Sequence, residues 1–413
     1  MSGFRVPQGI HRLQVAPMID VTDRDFRFFV RLLTKRTQLW TEMITSSAVN
    51  HTDDLGKLLG FSPEEHPIVC QIGGNDPGQL AAATSVVCHF GFDEVNLNVG
   101  CPSGRVANSG GFGAELIKKP NVVKEALTAM TAIAARSSIP VSMKTRLGVD
   151  DLDSYEYIND FLRVTACPRV VMHCRKAWLL GLSPAENRTI PKLNYGMARI
   201  ICGGFPNMKW WLNGGVNSVN YVKDIIETGP SNLEGVMIGR GIISNPMQLW
   251  DVDRSLYNED ENPVTALTRG AVLEAYSDYL HDRYDCEEGV SSGCLHTSLR
   301  PVWGILHGCP GQKRFRNVLD SLCKTMKSST PAEVLKMALQ EAEVGDDLLN
   351  CKNDEVVHAP FVETQDDPAL ESRREKCGLE MQRKLERINA RKELRPVEKI
   401  FEDVDEKLLT LFD

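Results

Sequence analysis

Eight short apolar runs, each ending in polar or glycine-rich sequence, recur between residues 13 and 250 of this chain. They are Leu13–Met18, Gln38–Met43, Ile68–Ile72, Glu94–Val99, Val141–Thr145, Val170–Cys174, Lys209–Leu212 and Gly235–Ile238. Helix-like stretches lie between them, among them Thr22–Thr34, Gln79–Phe90, Asn121–Arg136, Ser154–Val164 and Val219–Thr228. Thr22 with Asp23, and Pro77, are helix entry signals. Strand alternating with helix implies a parallel sheet, and eight repeats of the unit close a TIM (β/α)8 barrel.

Such a barrel brings the carboxyl ends of all its strands onto one face, where ligands bind. The polar residues of this chain fall at those ends. The first run closes on Ala16-Pro17-Met18, the second reaches Glu42, the third Gln71, and the fourth Asn98 and Cys101. The fifth ends at Lys144 and Arg146, the sixth carries His173 and Arg175, and the last two run into Asn213-Gly214-Gly215 and Gly239-Arg240-Gly241. A single Gln or His at a strand end reads as a satisfied structural group. Eight such ends on one face read as a pocket.

Within Asn96-Leu97-Asn98-Val99-Gly100-Cys101-Pro102 the strand stops at Pro102, which has no N–H to continue a ladder, and Gly100 allows a tight turn just before the thiol. Taken alone, Cys101 is either an inert buried thiol or one held open to a ligand. The glycines after the seventh and eighth runs are either ordinary turns or a cradle of backbone N–H groups for a phosphate, with Arg240 adding charge. Their position after the last two strands favours the phosphate.

The bulk numbers set limits. A chain of 413 residues holds one large α/β domain and a smaller second one. No apolar run is long enough to span a bilayer, and Met1–His11 lacks a secretory core, so no membrane partner is expected. The twelve cysteines include no CxxC and read as reduced thiols, with neither a structural disulfide nor a metal site. A cytoplasmic monomer is expected, with an organelle left open. The net charge of −8 argues against a globally basic nucleic-acid binder, so an RNA partner needs a local basic surface.

After residue 255 the character changes. Asn258–Pro263 is an acidic, turn-rich linker, and Val264–Arg283, Ser298–Leu306, Gln312–Lys324 and Pro331–Glu343 have the spacing of helices. Lys313, Arg314 and Arg316 cluster beside Phe315, with His296, Arg300 and His307 nearby; this is either a solvated helix face or a phosphate-contacting surface. Cys351–Pro368 is polar and Pro-containing, Pro368–Pro396 is dense in Arg, Lys and Glu, and Phe401–Phe412 is acidic with an apolar stripe. The expected organisation is a barrel over residues 1–255, a small all-helical domain over 264–344, and a charged, partly helical extension over 345–413.

Together these motifs resemble the tRNA-dihydrouridine synthases. The resemblance rests on Ala16-Pro17-Met18, Thr41-Glu42-Met43, Asn96 to Ser103, Lys144-Thr145-Arg146, His173-Cys174-Arg175, Asn213-Gly214-Gly215 and Gly239-Arg240-Gly241. Thr22–Arg36 and His173–Tyr195, with Lys176-Ala177-Trp178 and Asn187-Arg188-Thr189-Ile190-Pro191, are similar to the subfamily A branch. The likeness covers roughly residues 10–325 and leaves out the tail.

What the resemblance implies is an FMN enzyme that uses NADPH to reduce the C5–C6 bond of D-loop uridines in tRNA, at position 20 and also 20a. Cys101 matches the family's general acid; a free thiol, with a pKa of about 8.5, is mostly protonated at neutral pH and able to donate. Lys144 and Gln71 match flavin-ring contacts, His173 the flavin-contacting histidine, and Ala16, Pro17 and Met18 line the ring. Asn213, Gly214, Gly215, Gly239 and Arg240 are expected at the FMN phosphate, and Asn98 and Arg175 at the uracil. Arg188, Lys313 and Arg316 match tRNA contacts. There are two departures. His173-Cys174-Arg175 stands for the family's His-Ala-Arg, and Ala185 stands where subfamily A commonly carries a lysine. The basic tail is a candidate replacement for that contact. Competing readings are an FMN barrel oxidoreductase acting on a small pyrimidine or enone, and a tRNA-binding scaffold with a vestigial barrel.

Overall fold

The computed structural model describes residues 11–103, 111–284 and 292–351, and residues 371–372, 374–376, 379, 382–383 and 386 of the tail. All eight expected runs are strands: β1 (Leu13–Val15), β2 (Leu39–Thr45), β3 (Ile68–Gly73), β4 (Glu94–Val99), β5 (Val141–Arg146), β6 (Arg169–His173), β7 (Lys209–Asn213) and β8 (Leu233–Ile238). Each pairs in parallel with the next from β2 to β8, and β8 pairs with β1. The remaining seam is narrow. Val15 N donates to the Gln38 carbonyl at 3.0 Å, and Gln14 and Gln38 form an isolated parallel bridge. The sheet is thus a near-closed barrel. β1 is shorter than its apolar run because Ala16 N makes the last ladder bond, to the Ile238 carbonyl at 2.8 Å, and Pro17 has no N–H to offer.

Helices cover the outside: α1 (Arg24–Arg31), α2 (Ser46–His51), α3 (Leu55–Leu59), α4 (Pro77–Phe90), α5 (Pro120–Ala134), α6 (Tyr155–Thr165), α7 (Tyr195–Gly204), α8 (Tyr221–Glu227), α9 (Arg240–Ser244) and α10 (Val252–Tyr257). The entry signals act as caps. Asp23 accepts from Phe26 N at 2.9 Å, and Asp76, just before Pro77, accepts from Gln79 N at 2.7 Å. On β4, Val95, Leu97 and Val99 join the large core under the helices, while Asn96 and Asn98 face the lumen.

A second, separate apolar cluster of Ala16, Trp40, Val69, Val171, Trp211 and Met237 plugs the lumen. Side chains along a strand alternate faces, so the residue two places further on each strand stands in the next layer up. Those residues are Met18, Gln71, His173, Asn213 and Gly239; on β2 a bulge between Trp40 and Met43 sets Met43 level with Gln71 instead. The plug is therefore the floor of the site. Its two tryptophans each bury about 150–250 Å². At about 25 cal/mol per Å² that is at most about 4–6 kcal/mol each before chain entropy.

The chain continues in α11 (Arg269–Tyr284), α12 (Ser292–Leu299), α13 (Gln312–Thr325), α14 (Pro331–Glu341) and α15 (Asp346–Asn350), a helical region packed beside the barrel. Its tie to α1 is the buried Asp25 carboxylate, which accepts from Tyr279 Oη at 2.8 Å and Tyr284 Oη at 2.6 Å and forms an ion pair with Arg283, whose Nε stands 2.9 Å away. The Tyr279 ring stacks on Phe28 at 3.8 Å. The described tail residues are helical; the rest of Pro368–Pro396 and the stripe Phe401–Phe412 lie outside the described residues. Among the described residues no helix is long and apolar enough to cross a membrane.

Candidate active site

The strand ends bring the expected groups together. Asn98 Nδ2 donates to Gln71 Oε1 at 2.8 Å, while Asn98 Oδ1 accepts from Gly100 N at 3.1 Å and Cys101 N at 2.9 Å. The amide therefore fixes the turn that carries the thiol. Cys101 keeps partial exposure at the mouth. Arg146, two residues past Lys144 and so on the same face, closes the turn from the other side. Its Nε donates to the Gly100 carbonyl at 2.8 Å, and its Nη1 to the Asn187 carbonyl at 3.1 Å.

Lys144 Nζ donates to Asn213 Oδ1 at 3.2 Å, and Asn213 Nδ2 donates to the Met237 carbonyl at 2.8 Å. Burial, with Arg146 adding to it, pushes the Lys144 ammonium down to about 7. Burial lowers His173 well below its ordinary value, helped by Arg146, Lys144, Arg175 and Arg240, so the imidazole is neutral at neutral pH. Arg175 is lowered to about 10, by burial and then by Arg374 and Arg240. The charges that shift this group are one another. The opposite wall is acidic: Glu42 accepts from Asp20 N at 2.5 Å, and burial raises Glu42 above, and Asp23 to about 7 from, the ordinary carboxylate range.

Three features fit a bound anionic, planar ligand on the basic side. His173 Nδ1 and Arg175 Nε are buried and have no hydrogen-bond partner. Gly214 and Gly215 adopt φ of 110° and 77°, and a Cβ on Gly214 would stand 3.1 Å from the His173 ring. A Cβ on Gly239 would reach Met18 Sδ at 3.3 Å. Tyr195 Oη donates to the Gly214 carbonyl at 2.6 Å and holds that turn in place.

Not every expected residue is at the mouth. Arg240 lies there, exposed, and its Nη2 donates to the carbonyl of exposed Arg188 at 3.1 Å. Lys313 and Arg316 lie on α13 of the helical region, both exposed, with the Arg316 guanidinium 5.9 Å from the Trp303 ring centre. Their neighbours differ: Phe315 is buried in the helical core, and Arg314 is paired with Glu343 at 2.5 Å. The loop after β6 is braced by Asn187, whose Oδ1 accepts from Trp178 N at 2.7 Å and whose Nδ2 donates to the Trp178 carbonyl at 2.8 Å.

Sequence reasoning put Arg146 at a strand end but gave it no role, and it left Tyr195 and Arg374 out of the site. For Arg146 the two-residue step from Lys144 was a usable signal. Tyr195 and Arg374 act from elements far along the chain and left none.

Comparison with known proteins agrees with this geometry. The dihydrouridine synthase family model matches residues 14–343. The chain is 39% identical over 335 residues to a tRNA-dihydrouridine(20/20a) synthase of Salmonella typhimurium, covering 80% of this chain and 95% of that protein. It is 40% identical over 333 residues to the protein of the same name from Vibrio vulnificus, covering 79% of this chain and 96% of that protein. For its Synechocystis namesake the figures are 39% over 343 residues, 82% of this chain and 97% of that protein.

Proposed function

The chain belongs to the dihydrouridine synthase family, and on that premise we propose that it is a tRNA-dihydrouridine(20/20a) synthase using FMN and NADPH. The observation that carries the reading is the row of cations on the basic side of the mouth, Lys144, Arg146, Arg175 and Arg240, set around two unpartnered buried polar atoms and two left-handed glycines beside Cys101. A flavin mononucleotide fits this chemistry. Asn213, Gly214, Gly215, Gly239 and Arg240 would hold its phosphate, and Ala16, Pro17, Met18, Gln71, Lys144 and His173 its ring. When bound, FMN supplies the hydride, taken from NADPH, that the C5–C6 bond of uracil needs at C6.

The chain's own groups account for the rest. Cys101 holds the proton due at C5, and Asn98 and Arg146 keep its turn in place from either side. On this reading Arg175 and Asn98 serve the uracil, and hydrogen bonds to its carbonyls make C6 more electrophilic. Lys144, held near 7, takes up its proton when negative charge arrives beside it. Neutral His173 offers hydrogen bonds without adding charge to an already basic wall. The target uridine must leave the folded tRNA to reach this depth. Arg188, Lys313 and Arg316 are exposed and suited to backbone phosphates, a local basic track within a chain of net charge −8. All three relatives are named for action on tRNA, which favours tRNA over a free pyrimidine.

The test is mass spectrometry of a tRNA incubated with the protein, FMN and NADPH. A D-loop uridine should gain two hydrogens, and Cys101→Ala should slow that gain by about 10²–10⁴-fold while keeping bound flavin. The reading fails if the wild-type protein leaves both an unmodified transcript and a cell-derived, dihydrouridine-free tRNA unchanged.

A further inference from the structure

β5 pairs with β4 on one side and β6 on the other, so the loop after β5, residues 147–154, stands between two loops with different duties. The loop after β4 carries Cys101, and the loop after β6 carries Arg175 and Arg188. The middle loop is bonded to both. Toward β6, Asp150 Oδ1 accepts from Leu179 N at 2.9 Å, and Asp150 N donates to the Ala177 carbonyl at 2.7 Å. Asp153 adds an ion pair with Lys176 at 2.8 Å. Toward β4, Asp150 Oδ2 pairs with Lys118 Nζ at 2.9 Å. Lys118 ends the helical turn Gly113–Lys118, where it also meets Glu115 at 3.2 Å. Ala114, in the same turn, donates its N–H to the Cys101 carbonyl at 2.9 Å. One carboxylate therefore links the turn that holds Cys101 to the loop after β6. The far flank of that loop is held separately. The carbonyls of Asn187, Arg188, Ile190 and Pro191 accept from Arg146, Arg240, Arg374 and Arg175 in that order.

The residue type at position 150 carries information. Asp150 is buried and sits at φ 52°, in the left-handed region. Asparagine adopts that conformation as readily and would offer the same oxygen to Leu179 N. A neutral amide would also avoid the desolvation that a buried carboxylate meets. Its remaining atom, however, would be an NH2 group facing the Lys118 ammonium. The negative charge serves the tie to the Cys101 side.

We propose that Asp150 is a positioning residue: through Lys118 it locks the loop of Cys101 to the loop after β6, so that tRNA seated on the second sets the thiol of the first against the uracil. This rests on the reading of tRNA as substrate and of Cys101 as the acid. The thiol has to come within hydrogen-bond reach of C5. An error of about 1 Å in such a placement costs about 10²-fold in rate. Asp150 lies outside the groups assigned to the flavin and to the uracil, so its loss should act on the proton step.

The experiment separates the two half-reactions in FMN-loaded wild type, Asp150→Asn, Lys118→Met and the double variant. Anaerobic reduction of the flavin by NADPH needs no acid at C5. Reoxidation of the reduced flavin by dihydrouridine-free tRNA does. Each single variant should slow reoxidation at saturating tRNA by about ten-fold, with the rate of reduction, the flavin content and the tRNA dissociation constant held. The double variant should be no slower than either single one, because both break the same pair. Lys118 is the exposed end of that pair, so Lys118→Met decides the matter even where Asp150→Asn does not fold. Hydrogen exchange gives a reading without turnover. In wild type, tRNA should protect the amides of Gly113–Lys118 together with those of the loop after β6; in Lys118→Met it should protect only the latter. Reoxidation at the wild-type rate in Lys118→Met, even with a lower thermal midpoint, would overturn the proposal and leave the pair a structural brace. So would equal slowing of both half-reactions, additive losses in the double variant, or a raised KM for tRNA with kcat held. A wild-type protein whose flavin is reduced by NADPH but never reoxidised by tRNA would instead sink the functional reading itself.

Discussion

Two groups of buried cations stand on opposite terms in this molecule. Between α1 and the turn before β3, Arg27 Nε meets Glu65 at 2.6 Å and its Nη1 donates to the Thr22 carbonyl at 2.9 Å. Arg31 donates to the carbonyls of Thr34, Thr37 and Glu65 at 2.7, 3.0 and 2.9 Å. Burial lowers Arg31 to about 10, while Asp253 and Glu65 pull the other way. At the mouth, Lys144 and His173 are lowered by burial and then by neighbouring cations. The first group is closed by the chain's own carboxylates and holds the fold. The second meets no carboxylate of the described residues among the groups that shift it, which suits the anionic ligand proposed for it, and the sign of the electrostatics separates the two sets.

The comparison breaks if the two groups respond alike to loss of charge. Arg27→Ala strands the buried Glu65 carboxylate and should cost about 3–5 kcal/mol in urea unfolding. Lys144→Met removes a cation from among cations. In flavin-free protein it should leave the unfolding free energy unchanged or raise it by about 1 kcal/mol, while weakening FMN binding at least ten-fold. A loss comparable to that of Arg27→Ala would place Lys144 with the structural set.

A pH series sharpens the same contrast. The folded value of Lys144, about 7, lies below its unfolded value. Between about 7 and 10.4 the unfolded chain binds the extra proton, so flavin-free stability should rise with pH across that window through this group. Lys144→Met should lose that slope, and the two proteins should run parallel below pH 7. The smallest effect is expected on α13. Arg316→Ala should weaken tRNA binding about two- to five-fold, as one phosphate contact would. Arg314→Ala, which loses its exposed pairing with Glu343 and a bond to the Glu341 carbonyl, should change it less; a larger effect at Arg314 would mean that the pair opens to receive RNA.

Much of this was legible in the sequence because the barrel repeats one rule. Inward residues alternate, so the plug and the site above it can be counted along each strand, from Val69 to Gln71 or Trp211 to Asn213. The motif residues followed from that count. Other features needed three dimensions. The partners of Asn98 are a glutamine on β3 and its own turn, so an amide that reads as a ligand contact also builds the site. Phe315 interrupts a basic cluster in the sequence but turns inward on the helix, one face away from Lys313 and Arg316. The four carbonyls that hold arginines are backbone atoms, and composition carries no trace of them. Arg374 meets Ile190 across 184 residues of chain, a contact that periodicity cannot report.

The measurement that reaches the central claim most directly is the thermal midpoint of flavin-free protein titrated with FMN and, in parallel, with riboflavin, which has the same ring without the phosphate. If the basic side of the mouth is completed by an anion, FMN should raise the midpoint progressively, by the free energy of binding to the folded state alone, and riboflavin should do so far less. Equal shifts from the two, or none from either, would contradict the account.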